Sequence, residues 1–252
     1  MRIPTIRGTI DRRILVNFRV APNVLSRLLP NPFRPKLVHG VGMAGVCLIR
    51  LQHIRPRLLP RFFGIASENA AHRIAVEWEE HGQLREGVFI PRRDTASRFN
   101  VLAGGRLFPG VHHHARFASI ERSDRYRVSM DSDDGQTHLV VDGTVSSEWP
   151  SGSVFPSLDA ASEFFKAGSL GYSAALQHGI VEGLELRCLN WLMAPLSLEY
   201  VESSFFDNRR LFPSGSVTFD SALVMRGIEH EWRGREPICC GVEQCVKPPI
   251  VS

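Results

Sequence analysis

Three short clusters hold the side chains best suited to chemistry. Glu68-Asn69 sets a carboxylate and an amide in an otherwise small and apolar run ending at Val76. Buried there, Glu68 would hold its proton more tightly than a free carboxylate and could exchange it near neutral pH. It could equally cap a strand end or pair with Arg73. In Arg92-Arg93-Asp94, one arginine could clamp an anion beside a helix N-terminus; the other reading is a solvated turn with an Arg–Asp pair. In His112-His113-His114 on a strand, His112 and His114 share one face. They could carry protons beside Glu68, hold a metal together with Glu68 or His72, or do neither. No third metal ligand is evident. The candidate catalytic residues are therefore Glu68, His112 and His114, and the substrate-binding candidates are Asn69, Arg92 and Arg93; no metal and no cofactor is assigned.

Other motifs say less. His230-Glu231-Trp232 lacks the second histidine of a zinc-protease helix, and Gly40 to Gly45 reads as a tight bend. There is no G-x-S-x-G elbow, P-loop or dinucleotide fingerprint. Cys47 and Cys188 sit in apolar strand patterns and read as small core residues. Cys239, Cys240 and Cys245 could bind a soft metal but lack the paired spacing of a zinc site.

These clusters must be positioned mostly by strands. Arg13 to Val20 alternates, with Ile14, Val16 and Phe18 on one face and Leu15 and Asn17 on the other. Pro22 to Leu29 reads as a short helix stopped by Pro30, and Met43 to Ile54 as a strand followed by a proline-rich linker. Strands over 68–80 and 84–91 pair around His81-Gly82. Asp94 is placed to cap a helix running to Leu102 and ended by Gly104-Gly105. Strands over 112–121, 124–132 and 138–148 follow, with a turn at Asp133-Asp134-Gly135. Ser157 caps a helix from Leu158 to Lys166 that turns Phe164-Phe165 inward and stops at Gly168. Gly183 to Leu189, Leu196 to Glu202 and Val217 to Trp232 read as the last strands. The expectation is α+β, mostly antiparallel β, with residues 1–236 as one domain and 237–252 as a loose tail.

Composition narrows the function classes. The formal charge is only +4, and lysine occurs only at Lys36, Lys166 and Lys247, so the cations are mostly scattered arginines interleaved with acids. That argues against a nucleic-acid surface. No apolar run reaches the roughly 20 residues needed to span a bilayer, so no membrane partner is expected. An odd cysteine count and an N-terminus without an apolar centre point to a cytoplasmic protein with free thiols. The expected partner is a small molecule, and the sequence is compatible with a homo-oligomer.

The order of these segments resembles a known superfamily. The strand from Ser67, the His81-Gly82 turn, Ile90-Pro91-Arg92-Arg93-Asp94, a short helix and then Phe108-Pro109-Gly110-Val111-His112 is similar to the core of the acetoacetate decarboxylase-like proteins. The branch it most resembles is the DUF2071 (YqjF-like) family. Gly42-Met43-Ala44-Gly45, Ser157 to Phe165 with Gly171-Tyr172-Ser173, Asn190-Trp191 and Met225-Arg226 extend the likeness across residues 13–233. The resemblance implies a cone-shaped β-barrel with a few flanking helices and an interior pocket. It also implies that Glu68 is a pocket acid. The decarboxylases carry a Schiff-base lysine just after a proline; here Pro109 is followed by Gly110 and Val111, neither of which can form an imine. The expected function is therefore a pocket for a small anionic or carbonyl-bearing molecule. It serves a lysine-independent lyase, hydratase or isomerase, or else a non-catalytic binding or sensing domain.

Overall fold

A computed structural model describes residues 5–104 and 109–240. Gly105, Phe108, Cys245 and Lys247, named above, lie outside them. The chain opens with β1 (Ile6–Val20), α1 (Pro22–Ser26), the short β2 (Arg34–Pro35) and β3 (Leu37–Val38), and the long β4 (Val41–Pro56). A single 3-10 turn leads into the hairpin β5 (Ile65–Glu80) and β6 (Gln83–Thr95), then α2 (Arg98–Ala103). The meander β7 (His112–Arg122), β8 (Arg125–Ser132) and β9 (His138–Val145) follows. After α3 (Leu158–Ala167) come β10 (Leu170–Ala174), β11 (Ile180–Cys188), β12 (Ala194–Ser203) and β13 (Val217–Cys239).

The strands form one mixed sheet that closes in a ring. Pairing is antiparallel except where β6 meets β7 and β10. Along the order β11-β10-β6-β7-β8-β9-β12-β13-β1-β4-β5, two extra pairings, β5 with β6 and β11 with β13, join strands that are distant in the list. They make two closed circuits that share the wall β6-β5-β4-β1-β13. One returns through β7, β8, β9 and β12, the other through β10 and β11. Both faces of the shared wall are therefore covered, and each faces its own apolar interior.

Strand alternation divides the wall between these interiors. Ile14, Val16, Val46, Leu48, Ala70 and Ile74 pack with Val128, Met130 and Val141 in the first. Leu15, Cys47, Ile49, Leu51 and Ala75 pack with Phe155 and Phe165 in the second. At about 25 cal/mol per Å² of apolar surface, burial on two faces makes this wall the most strongly held part of the fold.

Local chemistry explains the element ends. His81 and Gly82 both take positive φ, the two-residue turn that joins twisted strands tightly. Ser157 accepts from the Ala160 amide and Gly168 closes α3, with Phe165 buried, as its sequence implies. Some expectations need correction. Strand β6 runs through Asp94 to Thr95, and Ser97 caps α2, because the Asp94 carboxylate is taken by Arg92. Helix α1 stops at Ser26, since Leu28 and Leu29 already precede Pro30. Strand β13 continues past position 237, where a tail was expected, because Ile180 and Val181 pair with Cys239 and Ile238. Strand β10 was not anticipated at all. Among the described residues no helix is long and apolar enough to cross a membrane.

Candidate functional site

The second interior contains a cavity of about 160 Å³. Its floor is a cross-strand row in which Cys47 of β4 lies opposite Ala71 of β5, Ala71 opposite Arg93 of β6, and Arg93 opposite His112 of β7. Arg13 on β1 and Arg73 on β5 flank this row. The sides come from β10 and β11 through Gly171, Leu184 and Leu186, with Ile65, Ser67, Asn69 and Asn100 at one end.

A bulge decides which arginine of the Arg92-Arg93 pair enters. On β6, Val88 and Ile90 face the cavity while Phe89 packs into the first interior. Strict alternation from Ile90 would send Arg92 into the cavity. Instead the register with β5 slips between His72 and Ile74, at Pro91, which has no amide hydrogen to give the ladder. The phase shifts by one residue, and Arg93 faces the cavity.

Three guanidiniums thus line one cavity, and its one acidic lining residue among those described, Asp94, is bonded to Arg92. Arg13 donates from Nε to the Cys47 sulfur at 3.2 Å, and lies over the Trp191 ring at 5.7 Å. Arg93 donates from Nε to the Ser173 hydroxyl at 3.0 Å. Arg73, only 7% exposed, bonds to the Asn17 side-chain oxygen and lies 4.8 Å over the Phe165 ring. Its Nε has no hydrogen-bond partner among the described residues. None of the three makes an ion pair with an acid among the described residues, although the chain has many Arg–carboxylate pairs elsewhere. Burial pushes both Arg73 and Arg93 down to about 10, which still leaves them charged at neutral pH.

His112 completes the polar lining. Its Nδ1–H donates to the Gly110 carbonyl at 3.0 Å, an acceptor-only partner, which leaves Nε2 free to take a proton. Burial, with Arg93 nearby, lowers its pKa to about 4, so the ring is neutral at pH 7. Asn69 is held by Thr95 at 2.8 Å and by Ser67 at 3.0 Å. Among the described residues no lysine lines the cavity. Lys36 borders a smaller neighbouring pocket, where its ammonium pairs with Glu86. No group of three or more His, Cys, Asp or Glu has metal-holding geometry among the described residues.

Of the residues singled out from sequence, Asn69, Arg93 and His112 line the cavity. Glu68, Arg92 and His114 do not. Glu68 is on the opposite face of β5, where Arg12 holds it at 2.6 Å and Arg50 at 3.6 Å. Burial raises its pKa even against those two cations. Arg92 is closed by Asp94 at 2.7 Å and Asp134 at 2.8 Å. His114 bonds to Asp133 at 2.7 Å. Sequence reasoning passed over Arg13, Arg73 and Cys47. The available signal was position: Arg73 shares a face with Asn69 and Ala71, and Arg13 with Leu15.

A family model, DUF2071, described as an uncharacterized conserved protein, matches residues 8–214. No curated protein matches. Among solved structures, an acetoacetate decarboxylase-like enzyme from Sphingomonas wittichii RW1 is similar at a TM-score of 0.58 and 14% identity, over 94% of this chain and 93% of that one. Acetoacetate decarboxylase from Legionella pneumophila subsp. pneumophila str. Philadelphia 1 is similar at 0.61 and 12%, over 91% and 86%. The enduracididine biosynthesis enzyme MppR complexed with pyruvate is similar at 0.58 and 11%, over 94% and 90%. At these identities the likeness establishes the acetoacetate decarboxylase-like fold.

Proposed function

The chain belongs to the DUF2071 family, and we propose that its cavity binds a small carbonyl-bearing carboxylate, on which His112 moves a proton. The observation that carries this reading is the set of three guanidiniums, Arg13, Arg73 and Arg93, that line one cavity and make no ion pair with an acid among the described residues; the carboxylate of Asp94, which also belongs to the lining, is taken by Arg92. Desolvated cations left unpaired are costly, and a ligand anion supplies the missing charge. The guanidinium fork matches a carboxylate's two oxygens. A volume of about 160 Å³ suits a short-chain acid. The pyruvate complex of MppR, on the same fold, supports a small oxo acid.

In the catalytic form of this reading, His112 Nε2 removes a proton from the carbon beside the carbonyl. The electron pair moves onto the carbonyl oxygen, where an arginine stabilises it. The proton then returns to a neighbouring carbon or goes to a leaving group. That sequence suits a lyase, hydratase or isomerase working without an imine. A second reading, binding without turnover, is favoured by the low basicity of His112, which limits its strength as a base.

Thermal-shift measurements with pyruvate, acetoacetate and phosphate test the binding. The expected result is a raised melting point for the wild type and a much smaller shift for Arg73→Gln and Arg93→Gln. If no anion stabilises the wild type, the reading falls. His112→Gln separates the two forms: a catalyst loses turnover and keeps the shift, whereas a binder shows no turnover in either protein.

A further inference from the structure

Neither form of the proposed function uses Cys47, although it forms part of the cavity floor. It is 6% exposed, lines the cavity, and lies in the cross-strand row beside Ala71 and Arg93. With no lysine in the lining among the described residues, its thiol is the softest and strongest nucleophile type there. A cysteine that merely fills a core has hydrocarbon around its sulfur. Here Arg13 donates to the sulfur at 3.2 Å, and Arg73 and Arg93 line the same cavity. Arg73, 7% exposed, lines the same cavity, and its Nε has no hydrogen-bond partner among the described residues.

We propose that Cys47 is a nucleophilic site for small anionic electrophiles, namely aldehyde or 2-oxo acids whose carboxylate the three arginines hold. The inference rests on the anion-binding reading of the cavity. In the step, a bond forms between Sγ and the carbonyl carbon as the carbonyl π bond breaks. The thiol proton ends on the former carbonyl oxygen. The product is a hemithioacetal or its ketone counterpart, formed reversibly and without oxidant or reductant. Holding the carboxylate within reach of the sulfur converts an encounter between two molecules into a step within one complex.

Iodoacetate and iodoacetamide test this on the purified full chain, since they share the reactive CH2–I group and differ in charge. In either alkylation an Sγ–C bond forms, iodide leaves and the thiol proton passes to buffer. Labelling of each cysteine is followed by peptide mass spectrometry. Cys47 should react about tenfold or more faster with iodoacetate than with iodoacetamide, as local field concentration of an anion predicts. Cys240, outside the cavity lining, should show no such preference. Arg13→Gln should largely abolish the preference at Cys47. Carbon-13 glyoxylate should give a protein-dependent hemithioacetal resonance with the wild type and none with Cys47→Ser. Equal rates with the two reagents, or an unlabelled Cys47 where Cys240 is labelled, would overturn the proposal. Pyruvate thermal shifts on the same preparation keep the two readings apart. A shift without charge preference defeats the Cys47 proposal alone; neither shift nor preference defeats both.

Discussion

Arg92 and Arg93 are adjacent on β6 yet face opposite interiors of the same wall. Arg92 is locked against Asp94 at 2.7 Å and Asp134 at 2.8 Å, whereas among the described residues the side-chain partner of Arg93 is the Ser173 hydroxyl, at 3.0 Å. The protein neutralises one cation, and no acid among the described residues pairs with the other. The consequences of replacing them should therefore differ in kind.

Arg93→Gln should leave stability nearly unchanged and remove most of the anion-dependent rise in melting point. Arg92→Gln should cost about 3 kcal/mol, because Asp94 is left buried without its partner, and keep the anion response. Denaturant titration and thermal shift read the two effects separately. Equal ligand responses in both variants would count against the division of roles.

Glu68→Gln should behave like Arg92→Gln. It weakens the hold on Arg12, which is fully buried and also bonded to Glu121 at 2.7 Å. A loss of roughly 2 kcal/mol is expected, softened by that second acid, with anion binding intact. If the variant is stable but no longer responds to pyruvate, Glu68 acts on the ligand after all.

Acid should destabilise the protein from near pH 6.5 downward. Burial lowers His72 to about 3, with Arg92 adding to the effect, and lowers His112 and His230 to about 4. Each folded value lies below the value near 6.5 expected for the unfolded chain. The unfolded state therefore binds more protons in this interval, and stability present above pH 6.5 is lost as pH falls towards the folded values. Among the described residues His72 has no partner at either ring nitrogen, and its ring lies 4.4 Å from that of Phe205. Replacing it by Phe should reduce the loss between pH 7 and pH 5 in urea titrations; an unchanged pH slope would refute its part in the effect.

Gly110→Ala should damage the cavity wall. Gly110 has φ of 81°, and an added Cβ would come within 2.6 Å of Ser173 Cβ and 3.3 Å of Arg93 Nε. A cost of about 1–2 kcal/mol is expected from the backbone alone. The displaced Arg93 should also weaken pyruvate binding, measurable by calorimetry. Unchanged affinity would show that Arg93 does not depend on this close approach.

Much of the fold can be read from local pattern. Alternation locates the long strands, the Ser157 cap and Gly168 bound α3, and His81-Gly82 joins β5 to β6, because each depends on residues close in sequence. The residues of the candidate site are legible only in part. Asn69, Arg93 and His112 were picked out by residue type, and Arg13, Arg73 and Cys47 were not.

What the sequence determined by itself is which side chains share a face: Asn69, Ala71 and Arg73 on one side of β5, Glu68 and Ala70 on the other. Which face meets the cavity was decided by the tertiary structure, because ring closure through β7 and through β10–β11 covers both sides of the wall. When both faces are buried, period-two alternation carries no sign of which interior pairs its cations with acids and which leaves them unpaired. The bulge at Pro91 then shifts the phase by one residue, and that shift depends on pairing with β5, not on β6 alone.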